Sequence, residues 1–297
     1  MVLPSTKSDG YGNTAPDEGK DQADGLPVLK DGLPVLKDGL PVQKDGLPVQ
    51  KDGLPVLNIA AYRFVAIHDR ERLRDQWLEQ CLALSIKGTI LIAPEGINLF
   101  LAGPAASIET WLESLQGDQR FAGLEAKYSW SQHQGFARMR VRLKAEIIRM
   151  NKPDIAPAAG RAPWVSAQTL ARWLDQGHDD EGRALVMLDT RNAFEVDYGT
   201  FNGAVSYDLK QFSDFPKAIQ MHRQAFEGKT VVSFCTGGIR CEKAGLFMQA
   251  IGMKHCYQLD GGILKYFETV GQRHYQGSCF VFDQREALDP ALKALSD

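Results

Sequence analysis

Residues 231–245 read VVSFCTGGIRCEKAG, and this stretch decides the fold. Thr230, Val231, Val232, Ser233 and Phe234 make a short β-branched, apolar run of the kind that fills a buried parallel strand. Cys235 follows at once, then Thr236, Gly237, Gly238, Ile239 and Arg240. The pattern predicts a helix from about Cys241 to Ala250. A cysteine on a glycine-bearing turn between a strand and a helix sits where backbone N–H groups and the helix dipole favour an anion. Such a setting lowers the thiol pKa, and the thiolate is the nucleophile. Arg240 adds a positive charge. The bland alternative, a core cysteine ending a strand, explains neither the paired glycines nor the arginine.

Working outward, ALVMLDTR (184–191) is a second buried strand, ending in Asp189 and Arg191. Ser166 can cap a helix at 167–176, Asn192–Val196 starts a short helix, and Gly203–Ser206 reads as a brief strand. Phe215–Phe226 is helical in pattern. HCYQLDGG (255–262) is a strand ending in glycines, and ILKYFETV (263–270) a helix. Strands alternating with helices predict a doubly wound parallel sheet. Sites in such sheets gather at the carboxyl ends of the strands. Cys235, Asp189 and the Gly261–Gly262 turn all fall there.

Upstream, residues 58–150 read as an α+β domain, so the fold class is α/β plus α+β. Strands are predicted at 59–67, 89–93 and 97–103, with helices at 70–84 and 106–115 and extended segments near 124–130 and 137–148. The order β-α-β-β-α-β points to a ferredoxin-like sandwich. In ARMRVRLK (137–144), Arg138, Arg140, Arg142 and Lys144 alternate with Met139, Val141 and Leu143. A strand puts the four cations on one face. That face either contacts phosphate or is a solvated surface with glutamate partners on neighbouring strands.

Before these domains, residues 1–57 form a tail. From Asp24 a seven-residue unit runs five times: DGLPVLK, DGLPVLK, DGLPVQK, DGLPVQK, DGLPVLN. A proline in every unit forbids a continuous helix, and the tract reads as extended, either a docking tail or an inert repeat expansion. It holds 6 Lys against 9 Asp/Glu, which accounts for the whole net charge of −3. Residues 151–163 (NKPDIAPAAGRAP) read as a linker, 164–275 as the second domain and 276–297 as a C-terminal extension. The N-terminus has no basic region and apolar core of a signal peptide, and no apolar run approaches a membrane span. A cytoplasmic protein is expected. The 5 cysteines are scattered, without a Cys-x-x-Cys pair, and the 6 histidines are dispersed. Neither a disulfide framework nor a metal site is expected, and no cofactor or protein partner is evident.

Residues 160–275 resemble a rhodanese domain, through LDTR (188–191), Glu195, the Gly203–Ala204 step, CTGGIR (235–240) and LDGGI (259–263). Rhodaneses have Cys-x-x-x-x-Arg, and related cysteine phosphatases have a loop one residue longer. Cys235 to Arg240 is the shorter form, sized for a sulfane sulfur. The resemblance extends further. GTILIAPEGIN (88–98), DTRNAFEVDYGTF (189–201), CTGGIRCEKA (235–244), LDGGILKYFE (259–268) and CFVFDQR (279–285) are together similar to the tRNA uridine hydroxylase family. That resemblance implies an acylphosphatase-like domain ahead of the rhodanese domain. It also implies oxygen-dependent formation of 5-hydroxyuridine at wobble position 34, with molecular oxygen as co-substrate and the tRNA anticodon loop as partner. Cys235 carries over as a persulfide-type nucleophile. Cys241 matches the motif too, where a resolving thiol or plain packing both fit. The repeat tract has no counterpart in the family. The alternative is a rhodanese-type sulfurtransferase acting on thiosulfate or a persulfide.

Overall fold

Leu57 lies in the fifth repeat and is fully buried. It belongs to strand β1 (Val56–Phe64), which begins two residues before the Asn58 boundary read from the sequence. The computed structural model describes residues 55–283 and 285–295. The tract before them, predicted to be extended, lies outside the described residues.

After β1 come α1 (Arg70–Ala83), β2 (Lys87–Ala93), β3 (Gly96–Gly103), α2 (Ala105–Gln116), β4 (Lys127–Ser131) and β5 (Met139–Leu143). They form a sheet of order β4-β1-β3-β2-β5. The first four are antiparallel neighbours, the ferredoxin-like arrangement. The extended segment read near 137–148 forms β5, a fifth strand added at the sheet edge parallel to β2. Leu73, Trp77 and Cys81 on α1, and Ile108, Trp111, Leu112 and Leu115 on α2, are buried, as helical spacing requires. Trp77 meets Trp111 and Phe121 edge-on at 6.1 and 5.5 Å. These helices cover one sheet face with Ile59, Ile90 and Leu99. By strand alternation Tyr62, Thr89, Leu91 and Phe100 point to the other.

The second layer contains β6 (Trp164–Val165), α3 (Ala167–Gln176), β7 (Leu185–Asp189), α4 (Ala193–Val196), β8 (Gly199–Phe201), α5 (Phe215–His222), β9 (Thr230–Phe234), α6 (Ile239–Ala250), β10 (Cys256–Leu259) and α7 (Gly262–Val270). Its sheet is parallel throughout, in the order β6-β10-β9-β7. β9 is buried at all five positions, as a central parallel strand is. Core residues of α3 and α7 pack with Val232 and Phe234 on one face, and those of α5 and α6 with Val231 on the other. Ser166 caps α3, its hydroxyl accepting from the Thr169 N–H at 3.1 Å. The helix expected over Phe215–Phe226 turns 3-10 at Arg223.

The brief strand expected at Gly203–Ser206 is only a bridge from Val205 to Leu188. The strand that forms is β8, antiparallel to β11 (Tyr275–Gly277). The Gly199 carbonyl accepts from Arg191 Nη2 at 2.6 Å and from the Tyr275 hydroxyl at 2.8 Å. These distant partners are invisible in the local pattern. A short pair, β12 (Cys279–Phe280) and β13 (Ala287–Leu288), follows.

Side chains join the layers. Lys243 of α6 is buried, and its Nζ donates to Glu95 at 2.9 Å, Glu146 at 2.6 Å and the Ile148 carbonyl at 3.0 Å. Arg285 donates to the Ser129 hydroxyl at 2.7 Å. The linker segment is itself packed: Ile155 and Ala162 are buried, and Arg161 pairs with Glu242 and Asp260. No helix among the described residues is long and apolar enough to cross a membrane.

Candidate active site

Cys235 sits where β9 ends, fully buried. α6 starts at Ile239, two residues earlier than expected, so Arg240 and Cys241 both lie in its first turn. Gly238 precedes it with φ +99°, a left-handed conformation that favours glycine. This turn aims the Gly238 N–H at Cys235 Sγ, 3.2 Å away. Burial pushes the Cys235 thiol up. The Cys241 thiol, the Arg240 guanidinium and the N–H groups of Arg240 and Gly238 outweigh it and bring the pKa down to about 6. Burial, and the bond to Cys235, push Cys241 the other way. Of the two thiols, the setting favours negative charge on Cys235 and a retained proton on Cys241.

Arg240 does not stand alone. Its Nη1 and Nη2 donate to Glu195 Oε2 and Oε1 at 2.6 and 2.7 Å, and Glu195 is wholly buried. The Asn192 N–H donates to Glu195 Oε2 at 3.1 Å. Arg240 Nε is buried without a partner among the described residues. Asp189 and Arg191, read at the end of their strand, pair with each other, and Arg191 meets the turn that carries Glu195. Arg191 Nη2 donates to Asp189 at 2.6 Å and Nη1 to the Glu195 carbonyl at 3.3 Å. They act by holding the turn that presents Glu195. Glu195 entered the sequence reading only through a motif, because a carboxylate 45 residues from its arginine has no local signature.

The first layer reaches the loop directly. Lys127 of β4 donates to the Gly237 carbonyl at 2.9 Å. Burial lowers its pKa, while Glu268 and Cys235 act against that shift. Tyr62 of β1 donates to Glu242 at 3.3 Å, and its hydroxyl lies 3.0 Å from where a side chain on Gly238 would begin. Sequence reading missed both, since each lies on a different domain from the cysteine.

Between the layers is a cavity of about 910 Å³, lined by Cys235, Thr236, Gly237, Ile239 and Arg240 from the loop and by Tyr62, Phe100 and Lys127 from the sheet. That is within the size of small-molecule sites, roughly 300–1,000 Å³. The cations of β5 fall on the cavity side: Arg140 registers with Thr89 and Arg142 with Leu91, both of which line it. Lys144 lines the cavity itself. Arg138, Arg140, Arg142 and Lys144 are all exposed, and among the described residues none forms an ion pair with a carboxylate.

The loop is also braced from α7. The N–H groups of Ile263 and Leu264 donate to the Cys235 and Thr236 carbonyls at 3.0 and 3.1 Å. Gly262, at φ +70°, has no room for a side chain: a Cβ there would lie 2.5 Å from the Cys235 carbonyl oxygen. Gly262→Ala is expected to destabilise the protein by about 3 kcal/mol, from backbone strain and overpacking. Urea denaturation measures this, and a loss below about 1 kcal/mol would contradict the close approach.

Two family profiles match the chain: the UPF0176 acylphosphatase like domain over residues 56–147 and the rhodanese-like domain over 166–269. A tRNA uridine(34) hydroxylase of Bordetella avium (strain 197N) is 63% identical over 238 residues, 80% of this chain and 98% of that protein. The tRNA uridine(34) hydroxylase of Variovorax paradoxus (strain S110) is 60% identical over 239 residues, 80% of this chain and 91% of that one. With both layers, the Cys235 loop and nearly the full length of such relatives matched, the chain belongs to the tRNA uridine(34) hydroxylase family.

Proposed function

We propose that this protein hydroxylates uridine 34 of tRNA to 5-hydroxyuridine, with molecular oxygen as co-substrate and Cys235 as nucleophile. The observation that carries this reading is Cys235, its sulfur accepting from the Gly238 N–H, on a cavity walled by two layers and bordered by cations that form no ion pair among the described residues. The high identity to relatives bearing that name supports it. A cytoplasmic location follows from the substrate.

A uracil must leave its stack to reach a buried sulfur, as a single-stranded anticodon loop allows. The thiolate adds at C6, and the C5–C6 π electrons move toward C5 and the C4 carbonyl. C5 is then the electron-rich atom that takes one oxygen atom of O2, the other leaving as water with two electrons and two protons from an external two-electron donor. Loss of the C5 proton and expulsion of sulfur return the aromatic base and the thiolate. Arg240, which lines the cavity, offers positive charge beside the developing oxyanion. Arg138, Arg140, Arg142 and Lys144 supply phosphate contacts, which are salt-sensitive. Simple sulfur transfer to a small thiol needs neither the basic face nor the first layer.

The test is nucleoside mass spectrometry of tRNA from cells lacking the gene, with and without a wild-type copy restored. 5-Hydroxyuridine and its derivatives are expected to fall and to return. Unchanged levels, with no second pathway present, would leave the sulfurtransferase reading in its place.

A further inference from the structure

Five aromatic rings gather beside the Cys235 loop, and the sulfur chemistry uses none of them. Phe280 of β12 lies 5.1 Å from Phe194, 5.1 Å from Phe282 and 5.3 Å from Tyr198, centroid to centroid. Phe282 lies 6.1 Å from Phe100 of β3, so the cluster joins both layers. It is tied to the loop by the Thr236 hydroxyl, which donates to the Phe280 carbonyl at 3.4 Å. Phe100 and Phe282 line the same cavity as Cys235. Phe194 and Phe282 are nevertheless 45% and 46% exposed. Half-exposed rings seated on packed ones leave apolar surface in water that a stacked ring would cover.

We propose that Phe282, backed by Phe100 and Phe194, is the stacking surface for the unpaired base adjacent to the uridine that enters the cavity. This rests on the tRNA reading above. Aromatic faces flanked by cations match single-stranded RNA, whose bases stack while its phosphates meet Lys and Arg. Here the cations are Lys144 and Arg149, on the same cavity. Depth selects the base. Cys235 is fully buried while Phe282 is half-exposed, so a base that reaches the sulfur leaves its neighbour at Phe282.

The test uses the full-length protein and a tRNA carrying uridine 34, either intact or with the base removed from one neighbour of uridine 34 at a time. Binding is read by fluorescence anisotropy and product by mass spectrometry. On intact tRNA, Phe282→Ala is expected to raise Kd and KM about tenfold to 100-fold, more than it lowers kcat, and Phe282→Trp to restore both. On the tRNA lacking the stacked neighbour, wild type weakens by a similar factor and Phe282→Ala adds nothing further. Equal losses on intact and base-less tRNA, or unchanged Kd and KM beside an active wild type, overturn the stacking surface alone. A wild-type protein that neither binds nor hydroxylates the tRNA overturns the proposed function, and the surface with it.

Discussion

Cys235→Ser is expected to abolish 5-hydroxyuridine formation, a loss on the order of 10⁴-fold or more, as when a catalytic nucleophile is removed. The hydroxyl is close in size to the thiol, so the buried site keeps its packing. What changes is acidity. The Gly238 and Arg240 N–H groups, the Arg240 guanidinium and the Cys241 thiol bring a thiol down to about 6. A serine hydroxyl starts so much higher that the same partners leave it protonated at neutral pH. The check is purified Cys235→Ser protein with tRNA and oxygen, alongside a thermal melt. A folded variant with near-wild-type hydroxylation would remove sulfur from the mechanism.

Arg240→Ala is expected to have two separable effects. The first is on stability. Arg240 and Glu195 form a bidentate pair in which Glu195 is wholly buried. Removing one partner strands a buried carboxylate and costs about 3–5 kcal/mol. The second is on reactivity. Burial raises the Cys235 pKa and the guanidinium is among the groups that lower it, so its loss moves the thiol upward. The thiolate is the species that reacts. Alkylation of wild-type Cys235 by iodoacetamide should therefore slow as pH falls through about 6. In Arg240→Ala the same decline should begin at a higher pH. Denaturant titration reads the first effect and the alkylation profile the second. An unshifted profile would mean that the backbone N–H groups and Cys241 hold the thiolate without the guanidinium.

Much of this molecule was legible in its sequence because its signals are local. The run TVVSF has the composition of a central parallel strand and forms one. Leu73, Trp77 and Cys81 repeat at helical spacing and are buried together. Cys235, the paired glycines and Arg240 lie within one turn, so their chemistry could be read from order alone. Alternation along Arg138–Lys144 placed four cations on one face, and they are exposed together.

What only the tertiary structure decided depends on pairs far apart in the chain. Strand alternation cannot say what a basic face looks onto. The parallel register of β5 with β2 turns it toward the cavity. No spacing rule links Lys127 to Gly237 across 110 residues, or Glu195 to Arg240 across 45. Local pattern also placed a strand at Gly203–Ser206, where distant hydrogen bonds to Gly199 and pairing with β11 favour β8 instead. The candidate nucleophile and its loop are set by residues adjacent in sequence. The room around it comes from two layers that meet only when the whole chain is folded.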